Sequence, residues 1–356
     1  MANLIINAFA FKENYKTSMQ LEGKMDEKKL ALYMENIFVS LKSAALHNPN
    51  DTVMIVVNEE VPEPYKSLFE EENIKIKKIN FDRYVMPQNF VWSLAFFKLC
   101  ALSYVVEEED YDNFLLLDAD TITMQTYSEM WEECKTGVML YPLGHSYHHH
   151  DRERIRSDYQ KLYEEDLNVV HYGGEYVCGN RQAMRLFMAE CRSVYERMQE
   201  KNFCVDDHTG DETILSIAAA RMQASGVKEE ITEAEIPESE AQDEKKPVRK
   251  CSGTNGRKCK NVEVIAAVPY IYRYWTNEFY LVSMNAIYNP VCIWHLPDEK
   301  EHAMAYFYRY YRKKKCFPKV RKSARIAGIR LAKRPYNRYT LQYKAAGKLH
   351  KIFENK

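Results

Sequence analysis

The stretch Phe114-Leu115-Leu116-Leu117-Asp118-Ala119-Asp120-Thr121-Ile122-Thr123 decides how the chain is read. Four apolar residues run into two carboxylates at i and i+2, and a β-branched run follows. A short apolar run with polar borders predicts a buried strand. The carboxylates then fall at the strand's end, where open α/β sheets bind ligands. If extended geometry persists through Ala119, Asp118 and Asp120 project to one side, about 7 Å apart. Two carboxylates so placed repel unless a cation lies between them, and hard oxygen ligands favour Mg²⁺ or Mn²⁺. The plainer alternative is a strand-end turn with two solvated aspartates.

Upstream, apolar runs and helical periods alternate. Leu4–Phe9 predicts strand one. Asp26 is placed to cap a helix from Glu27 to Leu46, with Leu30, Met34, Ile37, Phe38 and Leu41 near helical spacing. Thr52–Val57 predicts a second buried strand, Tyr65–Glu71 a short helix, Ile74–Ile79 a third strand nearer an edge, and Trp92–Val106 a helix. Strand and helix alternate through about 120 residues, which predicts an α/β fold with a mostly parallel, doubly wound sheet flanked by helices.

Downstream, Ser128–Glu133 reads as a short helix and Gly137–Tyr141 as a strand. Pro142–His150 is a loop holding His145, His148, His149 and His150. Such a cluster is able to hold a metal, but here it reads first as part of a polar lid. His171–Asn180 is glycine-rich around a short strand, and Gly173 and Gly174 permit close backbone approach to a ligand. Gly210-Asp211-Glu212-Thr213 leads into an apolar helix. Residues 224–260 are rich in Glu, Lys, Ser, Gly and Pro and read as a peripheral insertion. Val291-Cys292-Ile293-Trp294-His295 is an apolar run closed by a histidine.

The 356 residues carry a net charge of −1, but its distribution is uneven. From Ala303 onward there are 17 Lys and Arg against one acid, Glu354, and the first 302 residues hold 33 basic against 50 acidic side chains. A basic, aromatic tail on an acidic body implies an anionic partner for the tail. Tyr306–Lys315 interleaves aromatics with cations, which fits an anionic membrane surface better than nucleic acid, and no nucleic acid is expected. The 9 cysteines include no C-x-x-C pair, so neither a disulfide framework nor a structural zinc site is indicated. The first residues lack a signal-peptide pattern, and no apolar run reaches membrane-spanning length. The expected location is cytoplasmic, peripheral at the inner face of the membrane.

Phe96-Phe97-Lys98-Leu99, the acidic turn Glu107–Asp112 and the strand ending Asp118-Ala119-Asp120 together resemble a GT-A nucleotide-sugar glycosyltransferase. The likeness is to family-eight enzymes of the glycogenin and bacterial lipopolysaccharide galactosyltransferase type. It covers roughly residues 1–222 and 261–300 in order of elements. The resemblance implies a GT-A (Rossmann-like) catalytic domain over residues 1–302, followed by a basic helical tail over 303–356. It implies transfer of a sugar from a nucleoside-diphosphate donor, expected to be a UDP-sugar, to a glycan or lipid-linked glycan acceptor with Mn²⁺ or Mg²⁺.

Asp118, Asp120 and His295 are then the metal ligands. Ala8, Phe9, Lys98 and Ala119 join the two aspartates on the nucleotide. Gly173, Gly174, Glu175 and Trp294 face the substrates. Asp211 and Glu212 serve the reacting centre, where a carboxylate stabilises an oxocarbenium-like state. Retention of configuration is the expected outcome. The family's Gly-x-x-Lys-Pro-Trp segment after the histidine is absent, with Leu296-Pro297-Asp298-Glu299-Lys300 in its place, so Lys300 is the available substitute for the phosphate-contacting lysine. Two other readings remain: a phosphohydrolase of the haloacid dehalogenase type, whose first motif is also an apolar strand ending Asp-x-Asp, and a non-catalytic protein that binds membrane surfaces through its tail.

Overall fold

The computed structural model describes residues 1–11, 27–208, 210–225, 262–274 and 291–318. The expected loop over Glu13–Met25, nearly all of the 224–260 insertion and the tail beyond residue 318 lie outside the described residues.

Seven strands form one sheet. In chain order they are β1 (Asn3–Phe9), β2 (Thr52–Val57), β3 (Lys75–Lys78), β4 (Asn113–Leu117), β6 (Gly137–Pro142), β7 (Tyr172–Asn180) and β8 (Glu263–Ala266), and their order across the sheet is β3-β2-β1-β4-β7-β6-β8. All pairings are parallel except those of β7, which runs antiparallel to both β4 and β6. A second sheet holds β5 (Thr121–Thr123), β10 (Ile293–His295) and β9 (Ile271–Arg273) in that order.

Neighbouring residues on a strand face opposite sides, and here both sides are covered. Leu4, Ile6, Phe114 and Leu116 pack into one core with α3 (Phe97–Glu108), α6 (Arg181–Glu200) and α7 (Glu212–Ser225). Ile5, Phe9, Leu115 and Leu117 pack into the other, under α1 (Glu27–His47), α2 (Tyr65–Glu71) and α4 (Ser128–Glu133). Double coverage explains why these strands read as unbroken apolar runs.

The crossover helix after β1 lies on one face and the helix before β4 on the other. The strand order therefore reverses between β1 and β4, which is where doubly wound sheets open a ligand crevice. The β1–β4 ladder stops at Ile6 paired with Leu116. Beyond it the strands splay, and the Asn7 side-chain amide donates to the Leu117 carbonyl at 2.7 Å.

Two sequence expectations shift. The helix predicted from Trp92 begins only at Phe97, because residues 92–96 form turns. The predicted strand 114–123 breaks after Leu117, and Ala119 and Asp120 form a turn into β5. The start of the basic segment packs onto the body as α8 (Ala305–Lys314). Phe307 and Tyr311 are buried, and the Tyr311 ring meets Phe38 of α1 at 5.3 Å between centroids. The Tyr311 hydroxyl donates to Glu72 at 2.7 Å. Among the described residues no helix is long and apolar enough to cross a membrane.

Candidate metal site

The turn after β4 is held from below. The Thr121 hydroxyl donates to the Asp118 carbonyl at 2.9 Å and lies 2.7 Å from the Ser40 hydroxyl of α1. Asp118 N–H donates to the Glu175 carbonyl of β7 at 3.1 Å. Because the strand has ended, the two aspartates converge through a turn and not through strand alternation. β10 pairs antiparallel with β5, which sets His295 opposite Thr121. His295 Nε2 lies 3.2 Å from Asp120 Oδ1 and 3.9 Å from Asp118 Oδ2. One ligand atom from each of these three residues lies within 4.8 Å of the other two.

The three line a cavity of about 440 Å³ at the β1–β4 crevice, together with Ala8, Phe9, Ala119, Gly174, Glu175, Asp211 and Glu212. Lys98 and Lys300 also line it. Lys98 Nζ donates to Asp118 at 2.7 Å and to the Gly174 carbonyl at 2.9 Å, and forms an ion pair with Asp211 at 3.1 Å. Lys300 Nζ sits 2.5 Å from Asp120 Oδ2. Burial disfavours the Lys98 charge, but Asp118 and Asp211 outweigh it and push its pKa up. Asp120 is likewise buried, and Lys300 and His295 hold it well below the usual carboxylate range.

Glu175 is the hidden centre of the arrangement. Its side chain is fully buried, and one carboxylate meets both Arg273 (2.7 and 2.5 Å) and His295 Nδ1 (3.2 Å). Burial raises its pKa less than Arg273 and His295 lower it. Accepting from Nδ1–H turns Nε2 toward the aspartates, which is how a carboxylate orients a metal-binding imidazole. Burial lowers the His295 pKa, but Asp120 and Glu175 push it up to about 9, and a cation held at Nε2 would take the place of that proton.

The glycine pair also makes room inside the protein. A Cβ at Gly173 would fall on the Glu175 carboxylate and 2.7 Å from an Arg273 nitrogen. A Cβ at Gly174 would sit 2.8 Å from the Asp211 carboxyl carbon. Both glycines leave room for buried charge, and of the two only Gly174 lines the cavity. Trp294 faces away from the cavity, into a core with Ile122, Tyr274 and Leu296, because strand alternation opposes it to His295.

The adjacent acids differ. Asp211 is 3% exposed, and its Oδ2 carries no hydrogen bond of good geometry among the described residues. Burial raises its pKa to about 7, with Lys98 opposing and Asp118 and Glu212 adding to the rise. The Glu212 side chain is more open, at 27%, and binds His171 Nε2 at 2.9 Å and Arg273 at 3.0 Å. Burial works against its charge, but His171 and Arg273 hold its pKa down to about 2. An unbroken line of contacts runs His295–Glu175–Arg273–Glu212–His171–His145, ending on an Nδ1–Nδ1 contact of 2.9 Å.

Sequence reasoning assigned no role to Arg273 or His171. The available signal for Arg273 was a lone cation inside the apolar, aromatic run Ile271-Tyr272-Arg273-Tyr274. A charge at a strand position that must be buried needs a buried partner.

No protein-family model matches the sequence, and a search of curated proteins returns no match.

Proposed function

We propose that this chain is a metal-dependent glycosyltransferase that takes a sugar from a nucleoside diphosphate, with UDP as the expected nucleotide, and passes it to a hydroxyl of a glycan or glycolipid. The observation that carries this reading is the convergence of Asp118, Asp120 and His295 on the crevice where the sheet order reverses. Two carboxylates and one imidazole suit Mn²⁺ more than Mg²⁺, which prefers oxygen throughout. When bound there, a divalent ion neutralises charge gathering on the departing diphosphate.

The chain's own residues supply the rest. Lys98 and Lys300 add fixed positive charge to the same wall, where phosphate oxygens are stabilised without solvent reorganisation. Ala8 and Phe9 shape the end of β1 for the nucleotide. Glu212 is the ionised carboxylate open to a sugar, and it favours a positive anomeric centre. Asp211 lies deeper, where its Oδ2 accepts from a substrate hydroxyl or holds Lys98 in place. Glu175 never touches the sugar; it positions His295 and Arg273. The start of the basic segment is packed on α1 and keeps Arg309, Arg312, Lys313, Lys314 and Lys315 exposed, which leaves them able to meet an anionic membrane surface that presents the acceptor.

The test is titration of UDP against the purified chain with and without Mn²⁺, followed by UDP-sugar hydrolysis across a sugar panel. Asp120→Asn is expected to weaken Mn²⁺-dependent UDP binding on the order of 100-fold while circular dichroism stays unchanged. Undiminished binding in that variant would remove the metal role. Absence of UDP binding together with turnover of phosphomonoesters would replace the transferase reading with the phosphohydrolase one.

A further inference from the structure

The loop after β6 and the first turn of α5 (His150–Tyr163) carry a second cluster that the transfer chemistry does not use. One ligand atom each from His145, His149 and Asp151 lies within 4.8 Å of the others. The two imidazole rings stack at 3.6 Å, only 16° from parallel, so one ring has to turn for both in-plane lone pairs to meet one ion. Asp151 Oδ1 is engaged by His150 and Arg154, while Oδ2 faces His149 Nδ1 at 3.8 Å. Two tetrahedral ligands at about 2.0–2.2 Å from one cation lie about 3.3–3.6 Å apart, so the gap needs to close only slightly.

The loop is already held in place. Arg152 donates to the His145 carbonyl at 3.1 Å and to the Val169 carbonyl at 2.8 Å. His171 Nε2 lies 2.9 Å from Glu212 and its Nδ1 lies 2.9 Å from His145 Nδ1, so one histidine links His145 to a carboxylate. His145 Nε2 is the ring nitrogen outside that contact. Metal-binding imidazoles are ordinarily fixed in this way by a carboxylate on the far ring nitrogen, and here the carboxylate acts through one intervening histidine.

We infer that His145, His149 and Asp151 form a second divalent-cation site, at the mouth of the crevice, suited to Zn²⁺. Two imidazoles and one carboxylate form a three-ligand zinc set with the fourth position open, whereas the Asp118–Asp120–His295 set is the harder of the two. The helix dipole of α5 opposes a cation at its N-terminus, and Asp151 and Glu153 in the first turn offset that opposition. Binding replaces the long 3.3 Å bond from Asp151 N–H to His149 Nδ1. The ion clasps the 143–149 loop to α5, and through His171 it bears on Glu212. The inference does not depend on the transferase reading.

The test is equilibrium dialysis of the full chain against micromolar Zn²⁺ after chelator treatment, with zinc per chain read by elemental analysis. His149→Asn keeps a hydrogen-bond acceptor at the helix cap and removes the imidazole, and His145→Ala is the second variant. Each is expected to weaken one zinc equivalent at least tenfold, while Asp120→Asn retains that equivalent. His148→Ala, an exposed neighbour outside the cluster, is expected to bind as the parent does. The inference is overturned if both ligand variants hold as much zinc as the parent, if His148→Ala loses as much as they do, or if zinc binds only at millimolar concentration.

Discussion

Strands β4 and β7 lie side by side and are both buried, yet they are built on opposite principles. β4 presents Phe114, Leu115, Leu116 and Leu117, and each side chain ends in one of the two cores. β7 presents Gly173, Gly174 and Glu175, and it needs Arg273 and His295 from later in the chain to make its carboxylate tolerable. The first strand is stabilised by removing apolar surface from water, which any packed neighbour provides. The second is stabilised only by particular charges at particular atoms, since a buried carboxylate without partners is strongly unfavourable. Equal burial therefore conceals unequal tolerance to change, and the less tolerant strand is the one that shapes the crevice.

The sharpest way to break this contrast is to strip the charge from β7. Glu175→Ala takes from buried Arg273 and His295 the carboxylate they share, leaving Arg273 with Glu212 alone of these two acids, and urea unfolding is expected to show a loss of about 3–5 kcal/mol. Leu116→Ala in β4 is expected to lose about 2–5 kcal/mol through the cavity it leaves. The two are told apart by a second readout at the proposed metal site: the β7 variant is expected to release His295 and lose Mn²⁺ affinity, and the β4 variant to keep it. A Glu175→Ala loss below about 1 kcal/mol, the range of an exposed ion pair, would erase the distinction.

The next effect lies in pH. Asp211 has a folded pKa raised from 3.8 to about 7. Its ionisation is easier in the unfolded chain, so the folded state loses stability as pH rises from 3.8 through 7. Between pH 5 and pH 8 the loss is on the order of 2 kcal/mol. Asp211→Asn removes that titration, and its melting temperature is expected to vary less over this range than the parent's. An unchanged pH profile would mean that Lys98 fully compensates the charge.

The smallest effect is at the far end of β7. Asn180 caps α6 by accepting from Ala183 N–H at 2.9 Å and donates to the Cys134 and Lys135 carbonyls. Asn180→Ala is expected to cost about 1 kcal/mol, with no effect on metal binding. A change in metal affinity there would show that the polar character of β7 is one cooperative unit and not confined to its crevice end.

The same contrast explains what could be read from the residues alone. Phe114–Leu117 declared itself because apolar runs and their spacing are local signals. Asp118, Asp120, His295 and Lys300 were legible as residues of interest because each closes or follows a recognisable strand. The role of Glu175 was not legible, since its partner Arg273 is 98 positions away and belongs to the other sheet. The glycine pair was seen, but its reason lies in the volume of the Glu175 and Asp211 carboxylates. The turn at Ala119 was hidden because an apolar run before it and the β-branched Thr121-Ile122-Thr123 after it both favour extended strand.

The pairing of β10 with β5 also has a consequence for the order of synthesis. Asp120, Glu175 and Glu212 leave the ribosome long before Arg273, His295 and Lys300, and the Asp120–Lys300 contact closes a separation of 180 positions. A nascent chain that has reached α7 holds the acids of the crevice without Arg273, His295 and Lys300, and such acids resist burial until those counter-charges emerge. The sheet can assemble early, but the crevice acquires its electrostatic balance last.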